Sequence, residues 1–164
     1  MLRDSRDIIR RLLQDGFEEK SVRGSHHKFV HPISRRMVIV THPRKDIPPG
    51  TVRSTRTRAG RRTERSNAMT HYIALIHKDA DSCYGVSFPD VPGVTTAADS
   101  IDEAMRKASE VLEFAAEDWR EHTGRAFPQA RTIDDLRADR AFQENSADAV
   151  VAAVPFRAKA EAAE

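Results

Sequence analysis

The sequence predicts an α+β protein made of two small units, and three features predict it. Residues 1–65 hold 17 Lys and Arg against 7 Asp and Glu, a net +10, whereas residues 66–164 hold 10 against 18, a net −8. Opposed charges on the two halves of one chain fit two domains with different partners. The first 60 residues read as helix, three strands, helix, and residues 69–156 read as three strands, a long helix, a short helix and a closing strand. The expected boundaries are therefore 1–60, a joint at 61–68, 69–156, and a tail at 157–164.

In the basic half, Ser5 is the expected N-cap of a helix over residues 6–15. Ile8, Ile9, Leu12 and Leu13 form its apolar stripe, and Gly16 suits the left-handed position after it. Phe17 to Arg23 reads as a first strand with a poor apolar pattern, His26 to His31 as a second, and the β-branched run Met37 to Thr41 as a third. Pro48 and Pro49 open a last helix expected from Thr51 to Ala59. Both helices belong on one face of the sheet, which leaves the other face available.

The chemistry concentrates in Gly24-Ser25-His26-His27-Lys28-Phe29. Strand alternation puts Phe29, His27 and His31 on the core face and turns His26 and Lys28 together to the open face. An imidazole beside an ammonium suits RNA phosphodiester chemistry. The imidazole exchanges a proton near neutral pH, and the ammonium offsets charge building on phosphorus. A solvated strand with polar residues outward is the plainer alternative. His26, His27, His31 and His42 make a poor metal set, because alternation splits them and no cysteine or carboxylate completes a tetrahedron. No metal and no cofactor is expected.

Asp4-Ser5-Arg6-Asp7, Asp15-Gly16-Phe17, Gly24-Ser25-His26, Thr41-His42-Pro43-Arg44-Lys45-Asp46 and Pro48-Pro49-Gly50-Thr51-Val52-Arg53 together resemble a HicA toxin over about residues 3–60. The resemblance implies a fold like a double-stranded-RNA-binding domain and cleavage of mRNA. It also implies catalysis by the histidine that follows Gly-Ser, here His26. Thr55 and Arg56 stand where that family usually carries apolar residues.

Gly60 and the charged run Arg61 to Arg65 read as a tail or linker, and Ser66-Asn67-Ala68-Met69 resembles the remnant of a cleaved tag before a start methionine. Two polypeptides placed end to end, an artificial fusion and a natural linker all remain open on these residues. In the acidic half, Tyr72 to His77 and Tyr84 to Phe88 form a hairpin around the Asp79-Ala80-Asp81-Ser82 turn, and Val94 to Ala97 is a short third strand. Ser100 and Glu103 form a capping box for one helix running to Thr123, which Gly124 ends. Thr132 to Ala138 suggests a short helix and Ala149 to Val154 the closing strand.

Phe88-Pro89-Asp90-Val91-Pro92-Gly93 with Thr96, Asp99-Ser100 and Glu103-Ala104 resembles a HicB antitoxin over about residues 70–156. That resemblance implies a partial ribonuclease-H-like α/β domain without nuclease activity. Asp79, Asp81 and Asp90 could suggest a metal-dependent nuclease, but they lie in loops and turns rather than at convergent strand positions and so read as solvated turn residues. HicB proteins usually continue into a DNA-binding module; the alanine-rich acidic tail here does not resemble one, so operator binding is not expected.

The combined reading is a type II toxin–antitoxin pair. The basic half is a metal-independent endoribonuclease acting on mRNA through His26, with Arg23, Lys28, Arg44 and Lys45 as candidate RNA contacts. The acidic half, with a core of its own, docks over the His26 face through residues near Pro89-Asp90 and the acidic face of the long helix. A higher oligomer is also expected. A non-catalytic RNA-binding module with an acidic regulatory domain, and an operator-binding repressor complex, are the alternatives. No run of 18 apolar residues exists, the N-terminus lacks a signal-peptide core, and Cys83 stands alone, so a cytoplasmic protein without a membrane span is expected.

Overall fold

The computed structural model describes residues 2–54 and 70–157. The expected joint at 61–68, the residues from Thr55 to Ala59 and the tail beyond Arg157 lie outside the described residues. The elements are α1 (Ser5–Gln14), β1 (Glu18–Arg23), β2 (His26–Val30), β3 (Met37–Thr41), α2 (Pro49–Arg53), β4 (Thr70–His77), β5 (Tyr84–Ser87), β6 (Thr95–Ala98), α3 (Ile101–Ala116), α4 (Trp119–Thr123), α5 (Ile133–Arg137), α6 (Arg140–Ser146) and β7 (Val150–Phe156). They form two antiparallel sheets, one ordered β1-β2-β3 and the other β6-β5-β4-β7. Among the described residues no helix is long and apolar enough to cross a membrane.

In the basic half, α1 starts one residue earlier than expected. Asp4, not Ser5, is the N-cap and accepts the Arg6 amide at 2.9 Å. Ser5 is fully buried instead. Its hydroxyl pairs with His42 Nδ1 and accepts the Arg44 amide, both at 2.8 Å, which ties α1 to the loop after β3. Ile8 and Leu12 enter the core, whereas Leu13 is exposed, so the stripe is narrower than the pattern suggested. Ile8, Leu12, Phe17 and Val52 pack on Phe29, Val38 and Val40, one face of the β2–β3 ladder.

The acidic half alternates in the same way. Tyr72, Ala74 and Ile76 of β4 face the core under α3, while Leu75 packs with Leu136 and Phe142 on the opposite face. Phe142 belongs to α6, which the sequence reading missed; the helix is short, with Asp139 as its cap. Asp90 is not a solvated turn residue. It is buried, accepting the Arg131 amide at 2.8 Å and Arg131 Nε at 2.6 Å, which fastens the loop before α5 to the loop after β5. At the start of α3, Ser100 accepts the Glu103 amide as expected, but Glu103 reaches back to the amide of Asp99 rather than Ser100.

The long helix expected to run to Thr123 is broken. α3 ends at Ala116, Asp118 takes a non-helical conformation, and α4 resumes at Trp119 before Gly124 stops it at φ +70°. The break turns the Asp118 carboxylate toward the basic half, as described below.

Besides the cluster that each keeps to itself, the two halves share a core. Val30, Met37 and Ile39, on the β2–β3 face away from α1, share one buried cluster with Phe88, Val91, Val94, Leu112 and Phe114. The halves also share backbone hydrogen bonds: Ile39 N–H donates to Gly93 O at 2.8 Å, Gly93 N–H to Ser54 O at 3.1 Å and Cys83 N–H to Asp46 O at 3.2 Å. The Thr95 hydroxyl donates to Ile39 O at 2.7 Å. Gly93, at φ +94°, makes the close passage possible, since a Cβ there would lie 2.5 Å from Met37 O. β3 is buried along its whole length because helices cover one face and the acidic half covers the other.

A shared core makes a distinctive prediction. Ile39→Ala removes a side chain with no exposure, a change that costs about 2–5 kcal/mol. Trp119, the only tryptophan, sits in the acidic half. Its fluorescence transition in urea is expected to move to lower denaturant in the Ile39→Ala chain. Independent halves would leave that transition where it was.

Candidate functional site

Strand register assembles the site. Arg23 of β1 lies opposite His26 of β2, and His26 lies opposite Thr41 of β3, while Lys28 lies opposite Ile39. Alternation then sends His26 and Lys28 to the face away from α1, as the sequence implied. His27 points to the other face, where its ring meets His42 edge-on and its Nδ1 pairs with Glu19. His31 packs edge-on against Phe17. The four histidines are therefore divided between two faces. Among the described residues no three His, Cys, Asp or Glu side chains gather as a metal-binding group.

The His26 face is covered by the acidic half. His26 is 5% exposed, and its Nε2 lies 2.7 Å from Thr96 Oγ1 of β6. Lys28 has no exposure at all. Its Nζ donates to Phe114 O at 2.7 Å and to Asp118 Oδ1 at 2.5 Å, and it lies 3.9 Å from the centre of the Phe114 ring. In an unbroken helix the Phe114 carbonyl would accept the amide of residue 118. The break after Ala116 leaves it at the negative end of α3, where it meets a cation. Arg23 pairs with Glu117 at 2.5 Å and lies 4.8 Å from the Phe114 ring centre. Arg44 pairs with Asp99 at 2.5 Å. Lys45, the fourth cation singled out in the sequence, stays exposed.

Burial changes the ionisation of the site. Desolvation, aided by the nearby Lys107 charge, pushes His26 down to about 4, so its imidazole is neutral inside the closed chain. Burial also lowers Lys28, and the Asp118 carboxylate opposes that shift. Cys83, buried at the junction beside Asp46, is pushed up to about 11, which keeps it a thiol and argues against nucleophilic use.

Several partners of the site were not singled out as contacts in the sequence. Thr96 and Asp99 were visible only as parts of the second half's motif. Glu117 and Asp118 fall on the long helix whose acidic face was the expected contact, though neither was named, and Phe114 was not anticipated. Near Pro89-Asp90 the contact is made by Val91, Gly93 and Val94, while the Asp90 carboxylate itself is taken by Arg131 within its own half.

Residues 72–161 match the family model for the HicB-like antitoxin of a bacterial toxin–antitoxin system, which is more than half of the chain. The chain belongs to the HicB-like antitoxin family. Ahead of that match it carries a HicA toxin domain, residues 5–60. Together the two domains indicate a toxin–antitoxin module. A UPF0150 protein of Archaeoglobus fulgidus is 39% identical over 46 residues, which cover 28% of this chain and 67% of that relative. The chain is also similar to the crystallised HicB antitoxin of Burkholderia pseudomallei, at 30% identity and a TM-score of 0.42, over 52% of this chain and 62% of that one. The N-terminal domain of the same antitoxin gives the same identity and TM-score over 95% of its length.

The depressed His26 value carries a pH dependence. A histidine held at about 4 in the folded chain and near 6.5 when unfolded binds protons preferentially in the unfolded state between those values. Stability from this group is intact above pH 6.5 and falls as the pH drops toward 4. Between pH 7 and pH 5 the loss is about 2 kcal/mol. Urea unfolding at the two pH values is expected to show a loss at pH 5, and His26→Gln is expected to reduce that loss by about the share of this one group.

Proposed function

We propose that the HicA-type half cleaves mRNA with His26 as general acid or base and that the HicB-type half silences it by covering His26. The observation that carries this reading is the buried pair of His26 with Thr96, flanked by Arg23, Lys28 and Arg44, each of which meets a carboxylate of the other half. In the open state the imidazole regains solvent and its pKa returns toward the ordinary 6.5, where it can both take and give a proton at cellular pH. Lys28, two residues along the same strand face, is placed to offset charge developing on a phosphoryl group. Arg23 and Arg44 flank the imidazole and hold the RNA backbone; Lys45 extends that basic surface. Closing the chain buries the imidazole and the ammonium and engages both guanidinium groups with carboxylates, Arg23 staying about half exposed.

Expression of residues 1–65 without the acidic half is expected to arrest growth and cleave RNA, and His26→Ala is expected to lower cleavage by about 10²–10⁴-fold. The rate should follow a group titrating near 6.5 and survive EDTA. Cleavage lost with EDTA and restored by magnesium would overturn the metal-independent mechanism, and undiminished cleavage by His26→Ala would overturn the role of His26.

A further inference from the structure

Beside the apolar patch on Val30, Met37 and Ile39 and the nearby Lys107 cation, the HicB-type half presents to the basic face a set of groups found in a nucleic acid strand. At His26 it places a hydroxyl, Thr96 Oγ1, at 2.7 Å. At Arg44, Lys28 and Arg23 it places the carboxylates of Asp99, Asp118 and Glu117. Over both Lys28 and Arg23 it places the flat aromatic ring of Phe114. A cover that only had to exclude RNA could do so with its apolar patch alone. This one also pairs Arg23, Lys28 and Arg44 of the basic face with carboxylates and gives the imidazole a hydroxyl.

We propose that the HicB-type half mimics bound single-stranded RNA group by group. The Asp99 carboxylate marks a phosphate on one side of His26, and Asp118 and Glu117 mark phosphates on the other. Thr96 Oγ1 marks the oxygen on which the imidazole acts. Phe114 marks a base that stacks against Arg23, since guanidinium planes stack on bases as they do on aromatic rings. The inference rests on the proposed RNA-cleaving function and assigns its binding track: a single strand crossing from Arg44, past His26, to Lys28 and Arg23.

The experiment uses the full chain. Asp99→Asn, Glu117→Gln and Asp118→Asn are combined to weaken closure, and binding of a short oligoribonucleotide with 2′-O-methyl sugars is measured against salt. The triple variant is expected to bind at least tenfold more tightly than the parent. Adding Arg44→Ala or Arg23→Ala should each reduce the slope of log affinity against log salt by about 0.7, the value for one single-strand phosphate contact. Arg10→Ala, on the exposed side of α1, should leave the slope unchanged. A slope unmoved by both Arg23→Ala and Arg44→Ala, a triple variant that is folded by circular dichroism yet binds no RNA, or an equal loss from Arg10→Ala would each overturn the mimicry. If the triple variant does not fold, Asp99→Asn alone decides. Its carboxylate is 75% exposed, so the fold does not depend on it, and an RNA affinity that fails to rise overturns the proposal. An all-ribose oligonucleotide separates the two readings. Binding with the expected slope losses but without cleavage removes histidine catalysis and supports mimicry, whereas cleavage with an unaffected slope removes mimicry alone.

Discussion

A lysine ammonium with no exposure to water governs the junction. Removing Lys28 from solvent is expensive, and the expense is offset only because three groups of the other half converge on it: a carbonyl, a carboxylate and an aromatic face. Taking away one partner of such a buried pair typically costs about 3–5 kcal/mol, because the remaining charge stays buried and uncompensated. The partners come from one place, the end of α3. A helix that ran straight to Thr123 would satisfy the Phe114 carbonyl internally. The interruption at residues 117 and 118 is thus a requirement of the junction.

Charge opposition between the halves, clear from composition, contributes less than it suggests. Arg44–Asp99 and Arg23–Glu117 each keep one side chain more than half exposed, and pairs of that kind are worth about 0–1 kcal/mol. Their value lies in steering and in register. The halves are held mainly by the continuous apolar cluster through Val30, Ile39, Val94 and Leu112, with the hydrogen bonds that join β3 to Gly93 and Thr95.

Much of this was legible in the sequence because it depends on local periodicity. The β-branched run at Met37–Thr41 gave the third strand to the residue, and alternation in β2 separated His26 and Lys28 from His27 and Phe29 before any contact was known. What was not legible depends on distant residues. Val30, Met37 and Ile39 look like ordinary alternating strand residues, and nothing local says that the second face of β3 is buried by a segment more than fifty residues away. Asp4 displaced Ser5 as the cap because Ser5 is needed by His42 and Arg44, again a tertiary demand. Asp118 reads as a helix residue until Lys28 is placed beside it.

The passage of Gly93 along β3 has a consequence for the life of the HicA-type half once it is released. The Ile39 amide and carbonyl, satisfied here by Gly93 and Thr95, become a bare strand border next to the apolar side chains of Val30, Met37 and Ile39. Such a border is a template for pairing with any other extended chain, including a second copy of itself. The acidic half that meets β3 therefore also closes a strand border that would otherwise be open to pairing.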